Sequence, residues 1–305
     1  MRILITGGNG FLGRHLVSKF HFEDIFILSS HQHNLLNLDS IRQALDEYNP
    51  EVIIHLAAVV GGIEANRKNP GKFFYENALM GIQLMEQARV FGVRKFVSLG
   101  TICSYPKFTP VPFKERNLWT GYPEETNAPY GLAKKMLLVQ AQAYRQQYGF
   151  NAITLLPVNL YGPGDNFDPE TSHVIPALIR KILHAKKNDI DCVEVWGTGE
   201  CSREFLYVED AAEAIIMATL HYNKEEPINI GSGREIKIKD LVNIICQACN
   251  YKGTIWFNAD KPDGQPRRCL DVSKAKVEFG FEAKTSLEEG INKTVESYLA
   301  ELNES

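Results

Sequence analysis

Short apolar runs alternate with stretches of helical periodicity through the first half of the chain. The predicted strands are Arg2–Thr6, Ile25–Ser29, Val52–Leu56, Lys95–Leu99 and Ala152–Leu156, and helices are predicted near Leu12–Phe20, Ser40–Tyr48, Phe73–Phe91 and Tyr130–Tyr148. Strands that alternate with helices favour a parallel sheet covered on both faces. The pattern therefore predicts an α/β fold with a doubly wound sheet, which binds ligands beyond the carboxyl ends of its strands.

The pattern becomes more irregular after Pro163. Apolar patches lie at Val174–Leu183 and Val193–Trp196, further helices are predicted at Ala211–Leu220 and Lys239–Cys249, and the proline-rich, charged segment 261–268 is predicted as a loop. We predict a dinucleotide-binding domain over residues 1–160 and a smaller, mixed α/β substrate-binding lobe over residues 161–305. The chain is expected to return to the first domain near residues 205–222.

Composition limits the classes of function. A chain of 305 residues is long enough for two lobes, and its formal net charge of −4 leaves no basic surface for nucleic acid. No apolar run approaches the roughly 18 residues that a membrane span needs, and the first strand follows Met1 directly, so we expect no signal peptide. Cys246 and Cys249 form a C-x-x-C pair inside a helical pattern without a second ligand pair, which favours buried cysteines over a metal site. We expect a cytoplasmic protein without a metal.

A glycine-rich turn follows the first predicted strand. Gly7, Gly10 and Gly13 are spaced G-x-x-G-x-x-G, and Gly8 completes G-x-G-x-x-G with the last two. A strand before the turn and a helix after it are the context in which such glycines let the backbone approach a pyrophosphate at a helix N-terminus. The motif predicts a Rossmann-like dinucleotide site rather than a simple turn.

The second strand bears on the choice of dinucleotide. An acidic side chain at its end would bind the ribose hydroxyls of NAD. The chain has Ser29, Ser30 and His31 there, so nothing repels a 2′-phosphate and no arginine binds one. We predict NADP, with NAD as the alternative.

Five reactive side chains occur in three segments of the chain. Tyr130 and Lys134 are four residues apart, which places them on one face of a helix, while Thr101 and Cys103 follow the fourth strand and His173 precedes an apolar run. An ammonium beside a phenol eases loss of the phenolic proton. A thiol and an imidazole supply two further proton-transfer groups, which hydride chemistry alone does not need. The set predicts an enzyme that reduces a carbonyl and moves protons at the neighbouring carbons. The structural alternatives are a packed Cys103 and a His173 that only caps or packs.

These features resemble the extended short-chain dehydrogenase/reductase family. The resemblance rests on the glycine motif, Thr101, the Tyr130–Lys134 pair, and the segments Arg203–Asp210 and Asn229–Gly233. More narrowly, the chain is similar to the branch that epimerises GDP-4-keto-6-deoxy-D-mannose at carbons 3 and 5 and reduces it at carbon 4 to GDP-L-fucose. The matching blocks run over nearly the whole chain and are Val60–Ile63, Cys103 with Tyr105–Lys107, Asn159–Phe167, Ser172–Leu178 and Lys261–Gly264.

The resemblance implies a role for each reactive residue. Tyr130 would give a proton to the keto oxygen, Lys134 would hold the nicotinamide ribose and lower the phenol's pKa, and Thr101 would hydrogen-bond the same oxygen. Cys103 and His173 would act as base and acid at carbons 3 and 5. One set of oxygen-directed donors would then serve both epimerisation and reduction, because the enolate and the reduced oxygen lie at the same place.

The resemblance also implies the binding residues and the assembly. The cofactor residues would be Gly7, Gly10, Phe11, Leu12, Gly13, Asn37, Leu38, Leu56, Ala57, Ala58, Tyr130, Lys134, Pro157, Asn159 and Leu160. The substrate residues would be Asn159, Lys181, Trp196, Arg203 and Arg268. Arg267 and Arg268 lie in a loop. Each is expected either to reach a diphosphate, for which the guanidinium fork is suited, or to remain a solvated loop charge. A homodimer is implied through helices near Phe73–Phe91 and Tyr130–Tyr148.

Three alternatives remain open. One is a relative acting on another 4-keto sugar nucleotide, either a 3,6-dideoxy sugar or a heptose. Another is an enzyme with only one of the two activities. The third is an inactive nucleotide-binding scaffold, against which the intact Thr101, Tyr130 and Lys134 argue. Dehydration is disfavoured, because the related dehydratases have an Asp-Glu pair where this chain has Ile102 and Cys103. The family usually has Ser in place of Thr101, often a basic residue in place of Asn9, and commonly an arginine in place of Lys181.

Overall fold

The computed structural model describes residues 1–21, 24–261 and 263–304. The strands are β1 (Ile3–Thr6), β2 (Ile25–Leu28), β3 (Val52–His55), β4 (Lys95–Leu99), β5 (Ala152–Pro157), β6 (Asn159–Tyr161), β7 (Cys192–Trp196), β8 (Ser202–Tyr207), β9 (Ile228–Ile230), β10 (Glu235–Lys237) and β11 (Thr254–Asn258). The helices are α1 (Phe11–Lys19), α2 (Leu38–Tyr48), α3 (Ile63–Lys68), α4 (Pro70–Val90), α5 (Ala128–Tyr148), α6 (Val174–Lys187), α7 (Val208–His221), α8 (Ile238–Ala248), α9 (Ser273–Phe279) and α10 (Leu287–Glu304).

A six-stranded parallel sheet forms the first lobe, in the order β2-β1-β3-β4-β5-β9. Side chains alternate along each strand and therefore project from both faces of the sheet. Both faces are buried under helices. Ile3 and Ile5 pack in the core with α1 and α7, whereas Leu4 packs on the other face with α2, α4 and α5. The predicted doubly wound α/β class is confirmed, and all five predicted strands lie in this sheet.

The sixth strand and its preceding helix come from late in the chain. Helix α7 packs against α1, and β9 pairs with β5 through Leu155 and Ile228. The buried ammonium of Lys95 on β4 donates to the carbonyl oxygens of Ala218, Thr219 and Tyr222 at distances of 3.1, 2.5 and 2.6 Å. A cation at a helix C-terminus satisfies carbonyls that have no partner within the helix. Lys95 therefore fixes the end of α7 to the sheet.

The second lobe contains two small sheets. One has the order β10-β8-β6, with β8 antiparallel to β10 and parallel to β6, and the other pairs β7 with β11 in parallel. Helices α6, α8 and α10 enclose its apolar core, in which Ile179, Leu241 and Ile291 are completely buried. The predicted mixed α/β character of this part of the chain is confirmed. Pro262, in one of the blocks similar to the family, lies outside the described residues.

Two helices have a proline in their first turn that the periodicity does not include. Pro70 opens α4 and Pro129 lies in the first turn of α5. Proline is favoured there because the first-turn N–H groups have no partner within the helix. Helix α5 consequently begins before Tyr130, which lies in its first turn. Within the described part of the chain, no helix combines the length and apolarity that crossing a bilayer requires.

Candidate functional site

One large cavity lies at the carboxyl ends of the central strands. Its volume is about 1510 Å³, and both lobes contribute to its lining. Small-molecule pockets usually measure about 300–1,000 Å³. The cavity therefore has room for a dinucleotide and a second nucleotide-sized ligand together.

The glycine turn forms one end of this cavity. Gly7 has a φ of +70°, and a Cβ atom there would lie 2.8 Å from the backbone nitrogen of Ala57. A side chain is thus excluded where the turn passes β3. Helix α1 begins at Phe11. The residue before it, Gly10, has no side chain that could cap the first N–H groups of the helix. Uncapped N–H groups at a helix N-terminus suit a diphosphate.

Thirteen of the fifteen predicted cofactor residues line the cavity. They are Gly7, Gly10, Phe11, Leu12, Gly13, Leu56, Ala57, Ala58, Tyr130, Lys134, Pro157, Asn159 and Leu160. Asn37 and Leu38 lie outside its lining. The side chain of Asn37 caps α2 by accepting a hydrogen bond from Ser40 N at 3.0 Å, and Leu38 is the first residue of that helix. The structure does not bring these two residues to the cavity. Leu36, the residue just before Asn37, lines it instead.

Thr101 and Cys103 lie in a tight turn after β4. Thr101 begins a short 3₁₀ helix, Ile102–Ser104, and its Oγ1 accepts a hydrogen bond from Cys103 N at 3.2 Å. Ser104 Oγ donates to the carbonyl oxygen of Gly131 at 2.9 Å. A Cβ atom on Gly131 would lie only 2.4 Å from Cys103 O, so the absence of a side chain lets α5 pack directly on this turn. Because Tyr130 precedes Gly131 in the chain, this packing brings Tyr130 close to Cys103.

Tyr130 and Lys134 project into the cavity from the same helix face. Burial raises the pKa of Tyr130, and the nearby Cys103 adds to the increase. The lowering of the phenol's pKa by Lys134 that the resemblance implies stays a prediction. Burial lowers the pKa of Lys134 to about 8. At neutral pH Tyr130 is therefore protonated and able to donate.

His173 faces the cavity from the N-terminus of α6. The segment before it is joined to the first lobe, because Gly62 N donates to Thr171 O at 3.0 Å. This contact brings the Val60–Ile63 block against the segment that leads into His173. Although His173 is exposed to solvent within the cavity, the surrounding walls partly desolvate its imidazole and lower its pKa, so it is neutral at pH 7. The cavity thus gathers all five reactive side chains: Thr101, Cys103, Tyr130, Lys134 and His173.

The predicted substrate residues also line the cavity. Trp196 presents a half-exposed ring, with Lys181 Nζ 5.8 Å and Lys261 Nζ 5.3 Å from its centroid. Such distances allow cation–π attraction. Arg203 donates to the carbonyl oxygens of Ser202, Gln265 and Asp263, at 2.7, 2.5 and 3.1 Å. Its guanidinium therefore holds the 263–265 loop.

The two loop arginines separate in the structure. Arg268 reaches the reactive set, with its Nη1 3.7 Å from Cys103 Sγ and its Nε bonded to Gln265 Oε1 at 2.6 Å. Arg267 points elsewhere and forms a paired contact with Glu235 at 2.9 and 2.5 Å. Only Arg268 of this pair lines the cavity.

A row of buried polar side chains lies beneath the site and was not anticipated from the sequence. Thr6, His55, Ser98 and Thr154 are in register on four neighbouring strands and are almost wholly buried. Thr6 Oγ1 and His55 Nδ1 are 2.8 Å apart. Burial lowers the pKa of His55 to about 3, and the charge of Lys134 acts in the same direction. His55 is therefore a neutral neighbour of the Lys134 ammonium.

Comparison with known proteins identifies the family. The sequence signature of the NAD dependent epimerase/dehydratase family matches residues 3–231, most of the chain. The chain belongs to this family. The GDP-L-fucose synthase of Sinorhizobium fredii (strain NBRC 101917 / NGR234) is 41% identical over 301 residues, covering 98% of this chain and 96% of that protein. This membership confirms the family resemblance inferred from the motifs.

Solved structures of enzymes that act on GDP-linked sugars superpose on the chain over nearly its whole length. A GDP-6-OMe-4-keto-L-xylo-heptose reductase from C. jejuni superposes with a TM-score of 0.93 at 28% identity, covering 98% of each chain. A GDP-L-fucose synthetase from Naegleria fowleri bound to NADP gives a TM-score of 0.90 at 30% identity, covering 99% of this chain and 94% of that one. The reactive residues of this chain thus lie in a fold that these enzymes share.

Proposed function

We propose that the protein converts GDP-4-keto-6-deoxy-D-mannose to GDP-L-fucose by epimerising carbons 3 and 5 and reducing carbon 4 with NADPH. One observation supports this most strongly: Cys103 and His173 line the same cavity as Thr101, Tyr130 and Lys134. A simple reductase needs only the last three. The similarity to GDP-L-fucose synthases over nearly the whole chain agrees with the combined activity.

The cofactor is NADP. The glycine turn and the N-terminus of α1 fit its diphosphate, and Ser29, Ser30 and His31 line the cavity at the end of β2 without an acidic side chain. The bound NADP in the Naegleria relative confirms the prediction made from the sequence. When bound, the reduced cofactor supplies the hydride. Lys134, whose ammonium is present below its pKa of about 8, would hold the nicotinamide ribose.

Epimerisation requires proton exchange on carbons flanking the ketone. Removing a proton from carbon 3 or 5 gives an enolate whose charge lies on the carbon 4 oxygen. Donors aimed at that oxygen stabilise the charge, and Thr101 and Tyr130 supply them. Cys103 and His173 exchange the protons, one group removing a proton while the other returns one to the opposite face. The neutral His173 imidazole accepts a proton at pH 7, so in this state it would act as the base rather than as the acid that the resemblance implies.

Reduction completes the reaction on the same ketone. The hydride that the bound cofactor would supply would add to carbon 4, and Tyr130 would donate its hydroxyl proton to the carbon 4 oxygen as the C=O double bond becomes a single bond. The resulting phenolate would regain a proton from solvent. The raised pKa of Tyr130 keeps that proton in place until the oxygen becomes basic. Asn159, Lys181, Trp196, Arg203 and Arg268 would hold the GDP-sugar. The exposed Trp196 ring offers a flat surface to the guanine, while Arg203 acts through the 263–265 loop that it fixes.

A reductase without epimerase activity is the second candidate, favoured by the close superposition on the C. jejuni heptose reductase. Incubation with NADPH or NADH and a panel of GDP-linked 4-keto sugars, followed by mass and proton spectra of the products, separates the two. GDP-L-fucose formed with NADPH supports the proposal. A product that keeps the starting configuration at carbons 3 and 5 contradicts it.

Cys103→Ser tests the epimerase assignment directly. Solvent deuterium exchange at the substrate should fall by about 10²-fold or more, since a positioned proton-transfer group contributes about 10²–10⁴-fold. Cys201 also lines the cavity but is not one of the five reactive residues, so Cys201→Ser is a matched control that should retain exchange. Wild-type exchange in Cys103→Ser would remove Cys103 from the mechanism.

We also propose a homodimer formed through α4 and α5. These helices pack side by side, and their outer surface exposes Tyr75, Met136 and Val139. Val139→Glu should convert a dimer to a monomer in light scattering after size exclusion. The control is Val277→Glu. Val277 lies on α9 and is more exposed than Val139, and its replacement should leave the dimer intact. A monomeric wild type would refute this assembly.

The cytoplasm is the proposed location. All six cysteines are free in the structure. Thiols are kept reduced in that compartment. Mass spectrometry after thiol alkylation of protein from cells should find all six modified, and a disulfide would argue against the proposal.

A further inference from the structure

The reactive residues are divided between the two lobes. Thr101 and Cys103 follow β4, and Tyr130 and Lys134 lie on α5, so these four belong to the first lobe. His173 directly precedes α6, which encloses the core of the second lobe. Proton exchange needs all the groups to face the same substrate carbons within a fraction of an ångström. The position of His173 therefore depends on how the two lobes are joined beside it.

A glycine of the first lobe contacts the chain just before His173. Gly62 N donates a hydrogen bond to Thr171 O at 3.0 Å. A Cβ atom on Gly62 would lie 2.8 Å from Ser172 O, so no side chain fits between the two backbones. Ser172 is the residue that precedes His173. The two lobes therefore meet one residue away from the imidazole.

The turn that Gly62 contacts is internally braced. Asp168 Oδ1 accepts hydrogen bonds from Thr171 N and Thr171 Oγ1 at 3.0 and 2.9 Å, and Asn166 Nδ2 donates to Thr171 Oγ1 at 2.8 Å. Ser172 N donates to Asp168 O at 3.0 Å. Because these bonds hold residues 166–172 together, a displacement imposed at Gly62 passes on to His173 instead of being absorbed by the turn.

Asn66 fixes the orientation of Gly62. Its side chain is 5% exposed, and its Nδ2 donates to Gly61 O and Gly62 O at 2.9 and 3.0 Å. An amide nitrogen has two hydrogens, so both are used in these bonds. Helix α3 begins directly after Gly62. Asn66 thus ties the first turn of this helix back to the two glycines and fixes the direction in which Gly62 N donates.

The cofactor side of the same segment is held by a different asparagine. Val59 N donates to Asn77 Oδ1 at 3.0 Å, and Asn77 Nδ2 donates to Val59 O and Phe73 O at 2.9 and 2.7 Å. Val59 follows Ala57 and Ala58, which line the cavity at the end of β3. Removal of the Asn66 amide should therefore loosen the glycines and leave the cofactor end of the segment in place.

We propose that Gly62, held by Asn66, positions His173 for proton exchange at the sugar and that this contact is not required for hydride transfer. The inference rests on the proposed function, in which only epimerisation uses His173. Asn66 and Gly62 are positioning residues, because they act through the turn that precedes His173. Hydride transfer uses Thr101, Tyr130 and Lys134, whose mutual geometry is set within the first lobe.

Two variants test the contact from its two sides. In Gly62→Ala the Ser172 oxygen has to retreat by about 0.6 Å before its contact with the new Cβ is ordinary. A misplacement of about 1 Å costs about 10²-fold in rate, so deuterium exchange at carbons 3 and 5 should fall roughly tenfold. Asn66→Ala, which removes both donors to the glycines, should lower exchange in the same direction. The control is Asn69→Ala, because Asn69 is exposed and donates only to Ala65 O, at 3.3 Å.

Oxidation of GDP-L-fucose with NADP⁺ reports hydride transfer alone, because it removes no proton from carbon 3 or 5. Gly62→Ala and Asn66→Ala should keep this rate within about twofold of wild type, which also shows that they fold and bind both nucleotides. A loss of oxidation equal to the loss of exchange would overturn the proposal, since a general structural defect lowers both. Wild-type exchange in either variant would overturn it as well.

A double-mutant cycle tests whether the effect passes through His173. Asn66→Ala added to His173→Gln should cause no further loss of the residual exchange, because the group that it misplaces is already absent. The same tenfold loss in that background would show that Asn66 acts elsewhere and would overturn the proposal. A wild type that neither exchanges nor oxidises GDP-L-fucose would refute the proposed function and this inference with it, whereas the variant results bear on the positioning of His173 alone.

Discussion

Gly131 is the position where a single methyl group should disturb the reactive set without changing any of its members. In Gly131→Ala the added Cβ would lie 2.4 Å from Cys103 O, 2.9 Å from Cys103 C and 3.3 Å from Ser104 N. The oxygen has to move by about 0.6 Å before the shortest contact reaches 3.0 Å, and by about 1 Å before it reaches an ordinary distance. Backbone cannot rotate away as a flexible side chain does. Helix α5 and the Cys103 turn must therefore separate.

The expected consequence is larger for activity than for stability. Overpacking costs about 1–3 kcal/mol, and replacing a helical glycine by alanine returns about 0.5–1 kcal/mol. The net loss is about 1 kcal/mol, which lowers the Tm by about 2–4 °C in a chain of this size. A displacement near 1 Å between catalytic groups costs about 10²-fold in rate. Both proton exchange and NADPH oxidation should fall by about that factor.

The assay has a matched control within the same fold. Gly71, in the first turn of α4, has nothing within 4 Å of an added Cβ, so Gly71→Ala should keep wild-type activity and raise the Tm slightly, because alanine is favoured over glycine in a helix. Rates of NADPH oxidation and of deuterium exchange would be measured for both variants, with thermal unfolding beside them. Wild-type rates in Gly131→Ala would refute the argument that close packing of α5 on the Cys103 turn sets the geometry of the site.

Further predictions concern the reductase residues and the fold. Tyr130→Phe should abolish NADPH oxidation in a stopped-flow assay yet keep part of the deuterium exchange, since Thr101 still binds the enolate oxygen. Loss of both activities in a variant that still binds the cofactor would contradict separate roles for the reductase and epimerase residues. Because burial lowers the pKa of Lys134 to about 8, its ammonium is lost as pH rises through that value. NADPH affinity should then weaken above pH 8, and Lys134→Met should lack that alkaline decrease in fluorescence titrations. Lys95→Met should lower the free energy of unfolding in urea by about 2–3 kcal/mol, because three carbonyls at the end of α7 lose a charged donor; an unchanged midpoint would refute that role.

Much of the first lobe was predictable because its strands are continuous apolar runs between helical repeats. The five predicted strands and the glycine turn needed no tertiary information. Strand β9 is only three residues long, Ile228–Ile230. A segment this short has no periodicity that would distinguish a strand from a helix. Its place beside β5 depends on α7 packing against α1, a contact distant in sequence.

The site was predicted less evenly. Spacing on a helix placed Tyr130 beside Lys134, and family similarity pointed to Cys103 and His173. Adjacent arginines have opposite surroundings, however, and no sequence rule shows that Glu235 pairs with Arg267 while Arg268 reaches Cys103. These contacts depend on how a loop folds back across β8.

Binding residues at turns were the least predictable. Asn37 was expected at the cofactor but caps α2, because an asparagine before a helix satisfies an N–H group of the first turn.

The central claim is that one cavity performs both proton exchange and reduction. The most direct test is to incubate the wild-type protein with NADPH and GDP-4-keto-6-deoxy-D-mannose in deuterated water and to record the product's proton spectrum. We expect GDP-L-fucose with solvent deuterium at carbons 3 and 5 and one NADPH oxidised for each product. Reduction at carbon 4 without deuterium at either neighbouring carbon would contradict it.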